Sequence, residues 1–299
     1  TGCFESTVDF DPGPDVDNHV SNGWWDTFLT KFDSSGNFIW ARTWGGTEDD
    51  YGWAAVVDGS GNVYVTGCFK GAVDFDPGPD VDNHVSNGIE DAFLTKFDSS
   101  GNFIWARTWG GADSDDGCGA AVDGSGNVYV TGYFGGTVDF DPGPDVDDHA
   151  SNGYGDAFLT KFDSSGNFIW ARTWGGMGDD LGYSAAVDGS GNVYVTGCFE
   201  GAVDFDPGPD VDNHVSNGGW DTFLTKFDSS GNFIWARTWG GIGDYDIGYG
   251  AAVDSSGNAY VAGYFLDEVD FDPGPGIDNH VSNGGCDAFL SKFPPDGNW

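Results

Sequence analysis

A repeat of about 65 residues dominates this chain, and it decides what the polypeptide can fold into before any local pattern is read. The hexapeptide Asp-Phe-Asp-Pro-Gly-Pro begins at Asp9, Asp74, Asp139, Asp204 and Asp270, at intervals of 65, 65, 65 and 66 residues. The added residue falls between Gly241 and Asp254. A second block, FLTKFDSSGNFIWARTWGG, recurs unchanged from Phe28, Phe93, Phe158 and Phe223, with a divergent fifth copy over 289–299. Each unit is therefore one structural module, and the chain divides into units near 1–52, 53–117, 118–182, 183–248 and 249–299.

Within a unit the apolar residues alternate as in strands, and no stretch carries a helical period. In the second unit this predicts strands at Trp53–Asp58, Asn62–Phe69, Asp91–Asp98 and Asn102–Trp109. The linkers Asp58-Gly-Ser-Gly61 and Asp98-Ser-Ser-Gly101 are tight-turn sequences, because Asp and Ser cap a turn and Gly accepts positive φ. Four antiparallel strands per unit follow. Such a sheet cannot bury both faces by itself: Phe103, Trp105 and Trp109 alternate onto one side and Ile104 onto the other. Radial packing of sheets about an axis covers them, with small residues such as Ala54 and Ala55 on the innermost strand. The expected fold is an all-β propeller of about five four-stranded blades, the terminal ones incomplete. A β-solenoid is the rival architecture, with turns usually shorter than this period.

The string AAVVDGSGNVYVTG followed by DAFLTKFDSSGNFIWARTWGG resembles the bacterial SBBP β-propeller repeat and, in its GNVYV portion, the NHL repeat. The resemblance covers essentially the whole chain. It implies a secreted or cell-surface bacterial protein, often with many units in one long chain, and no defined activity. The chain starts inside a second strand and stops as a fourth begins, so a piece of a longer array is expected, or five blades of which two are incomplete. Unpaired edge strands of that kind invite self-association.

Composition limits the partners. With 49 Asp+Glu against 10 Lys+Arg, the net charge of -39 repels phosphate backbones and anionic headgroups, which disfavours nucleic acid and membrane surfaces as partners unless a cation bridges them. Aromatic residues at 16% separate the chain from acidic disordered proteins. No apolar run is long enough for membrane insertion, and nothing at the start has a signal-peptide layout.

Up-and-down strands place the tight hairpins at one end of a blade and the long loop and Gly-Gly loop at the other. The long loops hold the acid that suits a hard cation. Asp9, Asp11, Asp15 and Asp17 alternate around Gly13, and the pattern recurs as Asp74, Asp76, Asp80 and Asp82, as Asp139, Asp141, Asp145 and Asp147, as Asp204, Asp206, Asp210 and Asp212, and as Asp270 and Asp272. Calcium takes six to eight oxygens, so Ca2+ is the candidate cofactor, although the EF-hand order is broken by Gly13 and Val20. The alternative is a solvated turn in which Asp caps backbone amides. One further position varies between units, with Trp24-Trp25, Ile89-Glu90, Tyr154-Gly155, Gly219-Trp220 and Gly285-Cys286 in register. Trp24, Trp25, Tyr154 and Trp220 are candidate contacts for a glycan or a surface protein.

The remaining polar residues read as structural. One His per unit (His19, His84, His149, His214, His280) is expected to pack within its own loop, and Arg42, Arg107, Arg172 and Arg237 to stack between blades paired with acids. Cys3, Cys68 and Cys198 share a site with Tyr133 and Tyr264, which implies packing; five cysteines argue against a disulfide framework. No GxSxG, HExxH or P-loop string is present, and no catalytic-type residue stands outside the repeat. The functional expectation is a non-catalytic extracellular structural or adhesive protein, such as an array, stalk or filament component. A glycan- or protein-binding propeller is the alternative, and an enzyme domain is the least favoured reading.

Overall fold

The computed structural model describes residues 1–299 and contains β-strands, turns and no helix. The second module runs Asp50–Val57, Val63–Phe69, Asp91–Phe97 and Phe103–Trp109, hydrogen-bonded in that order as one antiparallel sheet. The third module repeats it with Asp115–Val122, Val128–Phe134, Asp156–Phe162 and Phe168–Trp174, and the fourth with Leu181–Val187, Val193–Asp204, Asn213–Phe227 and Phe233–Trp239. The first sheet has three strands, Gly2–Phe4, Asp26–Phe32 and Phe38–Trp44, and so does the fifth, Ile247–Val253, Ala259–Phe265 and Asp287–Phe293. In the second module each strand lies within about three residues of its expected position in the sequence.

Turn chemistry closes the hairpins as expected. Asp98 Oδ1 accepts the amides of Ser100 and Asn102 at 2.8 and 2.9 Å, Asp98 Oδ2 accepts the Asn102 side chain at 2.8 Å, and Gly101 takes φ +79°. These short bonds to an ionised acceptor hold Asp98 below the usual carboxylate range.

The apolar core is divided among the junctions between modules. At the first junction, Leu29 and Trp44 of the first module pack with Val63, Val65, Phe69, Val73, Phe75, Phe93 and Phe97 of the second. Equivalent clusters fill the next three junctions. The last Trp of each outer strand crosses to the next module: Trp44 lies 5.1 Å from Phe97, Trp109 5.3 Å from Phe162, Trp174 5.3 Å from Phe227 and Trp239 5.1 Å from Phe293, ring centre to ring centre. A module thus completes its core only when a neighbour is present.

The inner strands meet along the other edge. The Tyr183 and Tyr249 rings lie 5.0 Å apart, tilted by 31°, the Ser184 hydroxyl accepts the Ala251 amide at 3.1 Å, and the Trp53 indole donates to Asp116 Oδ2 at 3.1 Å. Convergence of inner strands and separation of outer ones is a propeller-like arrangement. No hydrogen bond joins the first module to the fifth.

The long loop departs from expectation. Its flanks form a short side hairpin, Ala72–Asp74 with Asn83–Val85 in the second module, and in the fourth module this hairpin is continuous with the main strands. Val73 and Phe75 are buried, and Phe75 rests on Phe69 and Phe93 at 5.2 Å. The acidic tip does not stand at the opposite end of the module from the tight hairpins. It folds back so that Asp141–Asp145 and the turn residues Gly166–Phe168 line the same cleft. Burial of the Val and Phe beside each acidic tip drives that fold-back.

Candidate functional site

Two surfaces are available to partners: the ends of the loops that join and cap the modules, and the clefts between modules. At the loop end, Asp26 opens the third strand of the first module and Asp50 opens the inner strand of the second. Asp26 Oδ2 accepts the Asn22 amide at 2.9 Å, the Asn22 side chain donates to the Gly45 carbonyl at 3.0 Å, and the Asp50 amide donates to the Trp25 carbonyl at 2.7 Å. The loop carrying Trp24 and Trp25 is thereby pinned to the Gly45-Gly46 loop. The same frame is built from Asn87, Asp91 and Asp115, from Asn152, Asp156 and Asp180, and from Asn217, Asp221 and Asp246.

On this frame the variable residues point outward. Trp24 is 66% exposed and Tyr154 84%, far above what a packing role needs, while Trp25 and Ile89 are also exposed. Trp220 is half-buried against Tyr245, 5.5 Å between ring centres. The structure adds three residues that the sequence reading passed over: Met177, Ile242 and Tyr245 are exposed on the Gly-Gly loops beside the same positions. Their signal was present, since each stands where the repeat fails to repeat.

The clefts are polar and recur at four junctions. One of about 480 Å³ is lined by His84, Arg107 and Thr108 of one module and Asp141, Asp145 and Phe168 of the next. The last copy differs, with Gly276 in place of the second acid and Trp299 in place of the Phe.

The acids expected to bind calcium are occupied with backbone. Oδ1 of Asp9, Asp74, Asp139, Asp204 and Asp270 each accepts two amides, as in Asp74 with Asp76 at 3.1 Å and Asp82 at 2.8 Å. Oδ1 of Asp11, Asp76, Asp141, Asp206 and Asp272 accepts the amide of the Gly two residues on at 2.7 Å. Asp17, Asp82, Asp147 and Asp212 lie 3.5 or 3.6 Å from the His two residues on, and Asp15, Asp80, Asp145 and Asp210 sit on the exposed tips. No three His, Cys, Asp or Glu side chains gather as a metal-holding group.

Each His binds within its own module, His84 Nδ1 to the Thr108 hydroxyl at 2.9 Å with its ring edge-on to Phe75. The arginines stack as expected, Arg42 5.2 Å over Trp40, but they are not paired with acids. Arg42 donates instead to the Gly101 and Ala41 carbonyls at 2.7 and 2.6 Å, because the next module's turn brings its backbone oxygens, and not its carboxylates, to the guanidinium. All five cysteines are free thiols.

One side chain corrects the expectation that no catalytic-type residue breaks the repeat. Asp116 stands where the other modules have Tyr51, Leu181 and Ile247. It is buried, one of its oxygens has no partner, and burial raises it to about 7.

No family model matches the chain. Two curated proteins are similar to it. The regulatory protein FlaEY of Caulobacter vibrioides is 28% identical over 237 residues, which is 74% of this chain and 24% of that protein. The uncharacterized WD repeat-containing protein L264 of Acanthamoeba polyphaga mimivirus is 25% identical over 246 residues, 72% of this chain and 18% of that protein. The chain spans a quarter or less of the length of these relatives.

Proposed function

We propose that this chain is a stretch of a non-catalytic β-propeller that serves as an adhesive or recognition scaffold, holding a protein partner at its loop ends. The observation that carries the reading is the contrast between an invariant frame and exposed, non-repeating apolar residues set on it, Trp24 and Trp25, Ile89, Tyr154 and Met177, and Ile242, with the half-buried Trp220 beside the last. Large apolar side chains held rigid in water are what interface anchors look like, and loops on a stiff scaffold are where recognition resides. The surrounding acid favours a partner with a basic face. Similarity to a WD repeat-containing protein and to a regulatory protein is in keeping with this reading. The extracellular, cell-surface setting implied by the SBBP resemblance belongs to the same proposal. The Asp-rich loops enter it as rigid tips; a melt in calcium and after chelation tests whether a cation adds to the bonds they already make.

The deciding experiment compares the native chain with a Trp24→Ser, Trp25→Ser, Tyr154→Ser, Trp220→Ser variant. Both should melt together, and only the native chain should retain partners in affinity capture and on protein and glycan arrays. Binding that survives the four substitutions removes the proposal, and binding confined to glycans replaces the protein partner by a sugar.

A further inference from the structure

Beneath every Gly-Gly loop, where two modules meet, two aspartates are buried side by side: Asp26 with Asp50, Asp91 with Asp115, Asp156 with Asp180, and Asp221 with Asp246. None of the eight is more than 1% exposed. The two members of a pair are not equivalent. The one that opens an inner strand has both oxygens engaged: Asp50 accepts the Gly46 and Lys70 amides at 2.6 and 3.1 Å, Asp115 those of Gly111 and Gly135 at 2.6 and 3.1 Å, Asp180 those of Gly176 and Glu200 at 2.6 and 3.2 Å, and Asp246 those of Gly241 and Leu266 at 2.8 and 2.9 Å. The one on a third strand is served through Oδ2, and Oδ1 of Asp26, Asp156 and Asp221 is buried without a well-formed hydrogen bond, with only the amides of Gly23, Gly153 and Gly218 as further donors near these carboxyls. Asp91 Oδ1 has only a 3.1 Å share of the Asn87 amide.

The two carboxylates of each pair are close enough for one to feel the charge of the other, Asp50 that of Asp26, Asp115 that of Asp91, Asp180 that of Asp156 and Asp221 that of Asp246. A Cβ on Gly110 would lie 2.7 Å from Asp91 Oδ1 and 2.8 Å from Asp115 Oδ2, so both flank the same glycine. The other titratable groups that face the pairs are acids as well: Asp49 beside Asp50, Asp113 beside Asp115, Asp179 beside Asp180 and Asp267 beside Asp246. Lys70 supplies its amide, and no Lys or Arg lies within 4 Å of a carboxylate anywhere in the chain, the His–Asp contacts being confined to the side hairpins. Two buried charges of one sign with no counter-charge are not sustainable in a poorly polarisable interior.

We propose that each pair binds one proton as a structural ligand, seated on the under-served Oδ1 of Asp26, Asp91, Asp156 or Asp221 and donated toward the neighbouring carboxylate, directly or through one water. A proton there turns an orphaned acceptor into a donor with an acceptor opposite it and removes one of the two charges. A hard cation fits less well, because the inner-strand carboxylate is already spent on amides and the neighbouring Asp49, Asp113, Asp179 or Asp267 does not gather with the pair into a metal-holding group that could supply six to eight oxygens. Burial raises all eight carboxyls, with Asp50, Asp115, Asp180 and Asp221 at about 7. The protons belong to the pairs, one each, and not to single residues. Every junction then weakens together as the solution becomes alkaline.

The test uses the full chain and a variant with Asp26→Asn, Asp91→Asn, Asp156→Asn and Asp221→Asn, in which the amide Nδ2–H replaces the acid O–H. Infrared spectra of the native chain near neutral pH should show the carbonyl stretch of buried protonated carboxyls, and the variant should keep only the smaller share that Asp116 contributes. The native melting temperature should fall more steeply than the variant's between about pH 5 and about pH 9, the range over which such a proton is lost. Asp50→Asn and Asp115→Asn, which turn one of the two amide acceptors into a donor facing an N–H, should melt lower at every pH. Absence of the protonated-carboxyl band in the native chain overturns the proposal whether or not the variant folds. So does an unchanged pH slope in a folded variant, or a calcium-dependent rise of the native melt that the folded variant loses, which would give the site to a cation.

Discussion

Arg107 of the second module donates its Nε–H to the carbonyl of Gly166 in the third at 2.8 Å, and returns Nη1 to the Ala106 carbonyl of its own strand at 2.6 Å. The same bond recurs from Arg42 to Gly101, Arg172 to Gly231 and Arg237 to Gly297. Lys96 makes a parallel reach, Nζ to the Ser164 carbonyl at 2.6 Å with its ammonium 4.9 Å over the Tyr64 ring. Two cations of one module therefore hold one turn of the next by its backbone. The contact needs a planar fork aimed at two carbonyls while lying on Trp105, 5.1 Å from the ring. Lysine cannot supply that geometry. Arg107→Lys should lower stability in urea by about 1–2 kcal/mol despite keeping the charge, and Arg107→Ala by no less. A lysine variant as stable as the native chain would show that charge alone holds the turn.

The turn that Arg107 grips depends on glycine for two separate reasons, and the repeat allows them to be measured apart. Gly36 and Gly166 are equivalent, with φ of +83° and +79°. Nothing lies within 4 Å of a Cβ added at Gly36, whereas one added at Gly166 would meet the Trp105 ring at 3.0 Å. Gly36→Ala should cost about 1 kcal/mol, for the left-handed backbone alone. Gly166→Ala should cost roughly 3 kcal/mol, because the turn must also withdraw from the ring. Equal losses in denaturant unfolding would mean that the turns do not pack on the preceding module.

The sheets were legible in the sequence because their signals are local: alternation set Trp105 and Trp109 against Ile104, and Asp98-Ser-Ser-Gly101 named its own turn. The path of the long loop was not. Asp74-Phe-Asp-Pro-Gly-Pro79 reads as an exposed acidic tip until Phe75 is seen between Phe69 and Phe93, a contact made across the sheet that no short-range pattern encodes. For the same reason Arg42 was expected to meet an acid in a chain so rich in them, and meets carbonyls from a residue 59 positions away. The variable aromatic positions needed only alignment of the units, while the buried pairs under the Gly-Gly loops join residues that the repeat places in different modules.

That hairpin gives a third expectation. Phe140 is buried within 5.2 Å of Phe134 and of Phe158, and its edge meets His149. Phe140→Ala should remove about 3–5 kcal/mol from the third module and its junctions. It should also free the tip, so limited proteolysis is expected to cut near Pro142–Pro144 in the variant before any strand is lost. Resistance equal to that of the native chain would place the anchor elsewhere in the hairpin.

Asp116 offers the clearest test of how a broken repeat affects stability. In the fourth and fifth modules its position holds Leu181 and Ile247, both of which pack without a polar requirement, whereas Asp116 is buried with Oδ1 unpartnered and Oδ2 held by the half-exposed Trp53 indole. Its folded value of about 7 stands well above that of an ordinary aspartate, about 3.9. Between those two values the folded protein keeps a proton that the unfolded chain has released. Stability from this residue is therefore complete at low pH, falls as the pH rises through that window, and levels off above it. Asp116→Leu removes the titration, and water can replace the lost partner of Trp53. The variant should match the native chain near pH 4 and exceed it by roughly 2 kcal/mol or more at pH 8, a gap that opens across the window and then stays constant. Paired urea unfolding curves at the two pH values check it, and a variant less stable at pH 8 would show that the Trp53–Asp116 bond outweighs the cost of the buried charge.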